Sequence, residues 1–592
     1  MKTFFSSIFS SCLGALLALI VIGFLLIAIG TGFMLRNKTD TKLTENSVLQ
    51  LIIPGLIPEQ TNNNPIQSYN LNNTVTIGLK DLTKAILHAA KDPKIRGIYL
   101  QSSNYNHGYA TLKEIRDALQ AFKNEGKFII CYSNYLDHKN YYINSVANQL
   151  YLHPLGFLDL KGFGISIPYF KEFTDKIGLD FNIYYAGEFK SATEPFRLNK
   201  MSDQNRLQLK EFLGEQYHLY LDEISKARNL DYNELKSNFD GFKSYSPKLA
   251  YTNQLIDSIA YESDVLANIR SKMNFNENDK IHFINIQDYF VISKSANEDF
   301  SSSNRIAVVY AEGNIIEGKG EEGEIGRKYI KILRDIRSTK SIKAVVLRVN
   351  SPGGSALLSD ELLKEIDLIK AQGKPVVVSM GDYAASGGYY ISCHADSIFS
   401  NAYTLTGSIG VFALIPNFNR ISGDKIGIDI DTVGTGPMAN KFNVMLPWGV
   451  DEAKIMQENI AQTYDQFISV ISSGRSLAKE QVKEFAKGRI WSGIKAKELG
   501  LVNKIGNLDD AISCASRMAS LEKFRISEFP TQKDPIQKLM EALQGNNEEG
   551  SVGIKARIME QELEEMIPYY QEMKYWKTNK GLQMKLPFII SK

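Results

Sequence analysis

Three short segments of this chain hold residue types that could together break an acyl bond. The run Val349-Asn350-Ser351-Pro352-Gly353-Gly354-Ser355 follows an apolar strand and precedes a helical stretch. Its two glycines let backbone N–H groups turn toward a bound atom, and a helix N-terminus adds positive partial charge. That combination suits an oxyanion hole, although a plain turn is the simpler account of this run alone. The next predicted strand, 375 to 381, runs into Ala384-Ala385-Ser386-Gly387-Gly388-Tyr389. A serine at a strand-to-helix turn between small residues is sterically open, and the N–H of Gly387 could join that of Gly354 in holding a developing oxyanion. The alternative is a serine N-cap with glycines for close packing.

A nucleophilic serine needs a proton acceptor. None of the seven histidines (His88, His107, His138, His153, His218, His282, His394) stands in a recognisable triad context, and His394, eight residues after Ser386, reads as a packing or solvent-facing group. The other solution is a lysine kept neutral by burial, since desolvation lowers its pKa by up to about 3 to 5 pH units. Lys190 lies between a strand ending in Ile183-Tyr184-Tyr185-Ala186-Gly187 and a Pro195-Phe196 corner. In a chain with 68 Lys and Arg, a solvated surface lysine is the default, and spacing alone does not select this one.

The elements that must position these residues are written twice. Arg96-Gly97-Ile98-Tyr99-Leu100 pairs with Lys343-Ala344-Val345-Val346-Leu347 at an offset of 247, Tyr141-Tyr142-Ile143 with Tyr389-Tyr390-Ile391 at 248, and Tyr245-Ser246 with Trp491-Ser492 at 246. So steady an offset implies an internal duplication of a domain of roughly 250 residues. The copies diverge where chemistry is possible: His138 faces Ser386, and Ala439 faces Lys190. Each half therefore looks like half an active site. Apolar strands such as 344–349 and 376–380 alternate with helical stretches such as 359–372, which predicts α/β units with largely parallel sheets covered on both faces. Each repeat should end in a longer helix, over 203–227 and 450–473. Beyond residue 529 the chain leaves the repeat, and 554–573 reads as an amphipathic stretch interrupted by Pro568.

Composition narrows the classes. A formal charge of +2 without a basic stripe argues against nucleic acid as the main partner. Cys12, Cys131, Cys393 and Cys514 form no C-x-x-C pair, so neither a structural zinc site nor a disulfide framework is expected. Residues 12 to 35 carry no charged side chain; as a helix they would span roughly 36 Å, enough for a membrane anchor and longer than the apolar core of a signal peptide. Lys2 precedes this span while Arg36, Lys38 and Lys42 follow it, so the positive-inside rule alone places the body in the cytoplasm.

Four motifs in order, Lys-Ser-Ala-x-Glu-Pro-Phe at 190–196, Asn-Ser-Pro-Gly-Gly-Ser at 350–355, Ala-Ala-Ser-Gly-Gly-Tyr at 384–389 and Leu-Thr-Gly-Ser-Ile-Gly at 405–410, resemble the long form of the signal peptide peptidase A (protease IV) family. The likeness covers roughly residues 10 to 525. It implies Ser386 as nucleophile, Lys190 as general base from the other repeat, Ser408 as the serine that orients the lysine amine, and Gly354 with Gly387 as oxyanion donors, with no metal or cofactor. It implies an α/β architecture of tandem ClpP/crotonase-like repeats behind a transmembrane helix, divided as anchor 1–36, first repeat 47–300, second repeat 304–525 and a tail 530–592 of unassigned role. It also implies a homotetramer in the bacterial inner membrane whose body faces the periplasm, against the charge rule, and which degrades cleaved signal peptides and other apolar peptides. Two rival readings are a non-catalytic peptide-binding scaffold and a crotonase-like acyl-CoA enzyme. The latter requires an acidic catalytic residue and leaves the divided serine and lysine unexplained.

Overall fold

The computed structural model describes residues 43–61, 76–102, 105–297, 302–320, 323–531 and 582–585. The expected anchor at 12–35 and the amphipathic stretch at 554–573 lie outside these; among the described residues no helix is long and apolar enough to cross a membrane.

The duplication is visible as two parallel sheets with one strand order. In the first half the spatial order is Ser258–Ile259, Gln149–Asp159, Phe128–Asp137, Ile95–Gln101, Ser47–Ile52, His282–Asn285, and every adjacent pair is parallel. The second half repeats it with Lys504–Ile505, Ser397–Ser400, Val376–Ala385, Ile342–Ser351, Arg305–Glu312, Arg525–Phe529. The central strand Ile342–Ser351 is buried almost continuously and on both faces, as a parallel strand between helical layers must be. The long helices occupy Asp203–Arg228 and Val450–Arg475, and both end on a residue in the left-handed conformation, Asn229 and Ser476.

A third, smaller sheet joins the halves. Strand Asp180–Ala186 of the first half runs antiparallel to Val411–Asn417 of the second, in unbroken register from Ala186 opposite Val411 to Asp180 opposite Asn417. This sheet continues through Gln583–Lys585, Gly353–Ser355 and Asn314–Ile315. The turn after Ala186 carries Lys190, and the segment before Val411 carries Ser408, so the pairing brings two candidate residues far apart in sequence to one edge. Strand Leu405–Gly407 also lies beside Val376–Ala385, with Ala385 opposite Gly407, which places Ser408 next to Ser386.

Polar contacts lock the halves behind this junction. Arg348, fully buried, donates from Nε to Glu59 at 2.8 Å and from Nη2 to Glu114 at 2.8 Å, both from the first half. Asp382, on the strand leading to Ser386, accepts from the Thr111 N–H at 2.9 Å and the Thr111 hydroxyl at 2.7 Å, capping the first-half helix Tyr109–Asn124. Asn350 bridges both sides, donating to Glu59 at 2.9 Å and accepting from the Tyr383 N–H at 3.1 Å.

Candidate active site

Ser386 closes strand Val376–Ala385 and opens the short helix Gly387–Tyr390. Its backbone has φ 55° and ψ −115°, a conformation that L-residues rarely adopt. Two hydrogen bonds hold it there: its N–H donates to the Gly407 carbonyl and its own carbonyl accepts from the Tyr390 N–H, both at 2.8 Å. The N-cap alternative fails, because the side chain makes no capping hydrogen bond and its hydroxyl turns to Lys190 instead. Strain that the surrounding sheet over-determines is a recurrent feature of reacting residues.

Lys190 reaches this hydroxyl from the other half. Its Nζ stands 3.0 Å from Ser386 Oγ, 3.0 Å from Ser408 Oγ and 2.9 Å from the Ser408 carbonyl oxygen. Ser386, Lys190 and Ser408 are 0, 1 and 0% exposed. No carboxylate is ion-paired or hydrogen-bonded to Lys190 among the described residues, and burial pushes its pKa well below the ordinary lysine value. A neutral amine has two N–H donors and one lone pair. Donation to the two oxygens of Ser408 leaves the lone pair directed at the Ser386 hydroxyl, so the arrangement can take a proton from that oxygen.

The corner that presents Lys190 is held from several sides. The Lys190 N–H donates to Gly187 O at 3.0 Å and the Phe189 N–H to Lys487 O at 2.9 Å. Gln208, on helix Asp203–Arg228, donates to Phe189 O at 3.0 Å and to Ser191 Oγ at 3.1 Å while accepting from the Ile490 N–H at 3.2 Å. Buried Glu194 accepts from Asn205 at 2.9 Å and from the Ser202 hydroxyl at the start of the same helix. Gly488 permits the closest approach: a Cβ there would stand 2.6 Å from Lys190 Cβ.

Gly354 and Gly387 converge on the same spot. A Cβ on Gly387 would lie 3.2 Å from the Gly354 nitrogen, and one on Gly353 would lie 2.7 Å from the Gly387 nitrogen. Gly353, with φ 98°, and Gly354, with φ 156°, turn their strand so that it lies beside the serine. The structure thus brings all five candidate residues together.

The histidines stand elsewhere. His394 lies 2.9 Å from Asp367 and 3.0 Å from Val470 O, and the hydrogen bond to Asp367 raises its pKa; His107 contacts Pro54 O at 3.3 Å. His138, the first-half counterpart of Ser386, bonds the backbone of Lys161 and packs its ring on Phe163 and Tyr220. Ala439, the counterpart of Lys190, is exposed. Sequence reasoning missed the residues that support this cluster. Glu194 was available inside the Lys-Ser-Ala-x-Glu-Pro-Phe run, whereas nothing local distinguishes Gln208, Asp382 or Arg348 from other polar residues.

Comparison with known proteins shows the family. The model of peptidase family S49 matches the chain twice, over residues 121–276 and 369–522, once in each half. Protease 4 of Haemophilus influenzae is 34% identical over 85% of this chain and 84% of its own length. Protease 4 of Salmonella typhi is 31% identical over 90% and 88%, and the chloroplastic serine protease SPPA of Arabidopsis thaliana is 29% identical over 81% and 70%. Among solved structures, a ClpP1 variant from Listeria monocytogenes aligns at 19% identity and a TM-score of 0.24, covering 35% of this chain and 94% of its own. By the double family match and the extent of the relatives, the chain belongs to peptidase family S49 and is a serine peptidase that hydrolyses peptide bonds.

Proposed function

We propose that Ser386 is the nucleophile and Lys190 the general base of a single site built between the two halves. The observation that carries this reading is the 3.0 Å contact between a fully buried amine with no carboxylate partner among the described residues and the hydroxyl of a serine in a strained turn. Ser386 Oγ attacks the peptide carbonyl as Lys190 takes its proton, the Gly354 and Gly387 N–H groups hold the oxyanion, and the departing amine receives the proton. Lys190 then activates the water that hydrolyses the acyl-enzyme. Ser408 fixes the amine.

The substrates of this reading are cleaved signal peptides and other apolar peptides, met at a membrane in which residues 12–35 anchor the chain with its body on the periplasmic side. A homotetramer is favoured by the way the halves pair. The segments equivalent by repeat offset to strands 411–417 and 180–186 are 162–168 and 429–435, and neither belongs to a sheet. Joining 429–435 of one chain to 162–168 of the next would repeat the internal junction and could close a ring.

A fluorophosphonate probe tests the central claim. The purified protein should be labelled on Ser386 and should cut an apolar peptide, and Ser386→Ala should lose both while remaining folded. Undiminished turnover by that variant refutes the assignment. Protection of the body from protease in cells with a permeabilised outer membrane refutes the periplasmic placement.

A further inference from the structure

Neither repeat accounts for the three residues Gln583–Lys585. Both large sheets are complete at residue 529, yet the chain returns more than fifty residues later to add a strand to the joining sheet, and it does so at the candidate site. The strand runs antiparallel to Gly353–Ser355, with Met584 opposite Gly354, and on its other edge antiparallel to Val411–Asn417, with Gln583 opposite Phe412. The Ala356 N–H donates to Leu582 O at 3.1 Å. An extended peptide gripped by backbone on both edges is the geometry of substrate binding by strand addition, in which main-chain hydrogen bonds supply affinity and alternate side chains supply selectivity.

The register is specific. Met584 O lies 1.9 Å from where a Cβ on Gly353 would be and 3.1 Å from where one on Gly387 would be, beside the Gly354 and Gly387 nitrogens. The carbonyl of residue 584 therefore stands where the oxyanion donors converge. The Met584 side chain is 1% exposed in the apolar core of the second half, and Leu582, two residues back on the same strand face, packs on that core. With this strand in place Ser386 has no exposed surface.

We propose that residues 582–585 occupy the peptide-binding groove as a tethered substrate, and that Ser386 cuts the chain between Met584 and Lys585. The inference rests on the Ser386–Lys190 reading above. In the step, the Ser386 Oγ–C bond to Met584 forms and the C–N bond to Lys585 breaks. The serine proton passes through Lys190 to the released amine of residue 585. Water then adds to the ester, leaving Met584 with a carboxylate and returning the Ser386 hydroxyl. The same register assigns the groove apolar positions for the residue before the cut and for the residue two before it, with the residue between them facing the other side of the strand.

The test is the intact mass and C-terminal peptide map of the full chain purified in detergent. The wild type should end at Met584, and Ser386→Ala should keep residues 585–592. Met584→Asp, which puts a carboxylate in the apolar position, should also keep them while still labelling with the fluorophosphonate on Ser386, which separates a blocked cut from a lost nucleophile. A wild-type protein that labels on Ser386 yet retains Lys592, or removal of 585–592 from Ser386→Ala, overturns the proposal. A wild type that neither labels nor cuts an apolar peptide takes down the dyad reading as well.

Discussion

Ser408→Ala separates orientation of the base from the base itself. In the folded protein Lys190 Nζ has three oxygen partners, and the substitution removes one, the 3.0 Å contact to Ser408 Oγ, while the 2.9 Å contact to the Ser408 carbonyl and the 3.0 Å contact to Ser386 remain. A single hydrogen bond of this kind contributes about 0.5 to 1.5 kcal/mol net. Expressed wholly in the transition state, that is a fall in kcat of about two-fold to about twelve-fold, since each 1.36 kcal/mol is a factor of ten. Removing the acceptor itself, as in Lys190→Ala, should cost about a hundred-fold to ten-thousand-fold. The assay is steady-state hydrolysis of an apolar peptide by the purified protein, with fluorophosphonate labelling rates as a second readout. KM should stay near its wild-type value, because the Ser408 hydroxyl is turned to Lys190. A loss as large as that of Lys190→Ala would put the Ser408 hydroxyl in the proton path and refute the orienting role; an unchanged kcat would show that the carbonyl contact alone fixes the amine.

Because Lys190 is buried with its pKa pushed down, kcat/KM should rise with pH as the amine loses its proton, and Lys190→Arg should stay inactive because a guanidinium accepts none. The unfolded chain binds that proton up to the ordinary lysine value of 10.5 while the folded amine does not. Lys190→Met should therefore raise Tm at neutral pH, and the gain should shrink as pH climbs toward 10.5. Arg348→Met should cost about 3 to 5 kcal/mol in denaturant unfolding by stranding Glu59 and Glu114, and the penalty should fall at acid pH, where buried Glu114, whose pKa burial already raises to about 7, takes up a proton. Active-site titration should give a burst of one acyl-enzyme per chain; two would mean a second nucleophile in the first half.

The glycines and the serine of the candidate site were legible because they sit in runs whose types are constrained locally, glycines where no Cβ fits and a serine at a strand-to-helix turn, whereas Lys190 was picked out from the other lysines only by the resemblance of its motif. The long helices were legible from their period, and they run within two residues of the expected ends, at Arg228 and Arg475. The junction was not. Pairing of Asp180–Ala186 with Val411–Asn417 joins residues more than two hundred apart, and neither strand carries a mark of its partner. Buried charges were equally hidden: Arg348, Glu59, Glu114 and Glu194 look like surface residues in a chain whose charged groups are mostly solvated, and only the fold shows that each has a partner. The strand Gln583–Lys585 is too short to show any period, and its burial depends wholly on the groove it enters.

The division of the site explains why the duplication could be kept without two complete copies of the chemistry. A lysine is neutral near physiological pH only if it is thoroughly desolvated, and here the walls that desolvate Lys190 come from the opposite half: Ser408, Gly410, Phe412 and Gly488. On the proposed dyad the Ser386 hydroxyl in turn needs that amine as its proton acceptor. On that reading each half supplies what the other lacks. In the first half the strand-to-helix position holds His138, fastened to the Lys161 backbone and packed among aromatic rings, while in the second half the lysine position holds exposed Ala439. On the proposed dyad, those positions carry no proton and are free to serve packing.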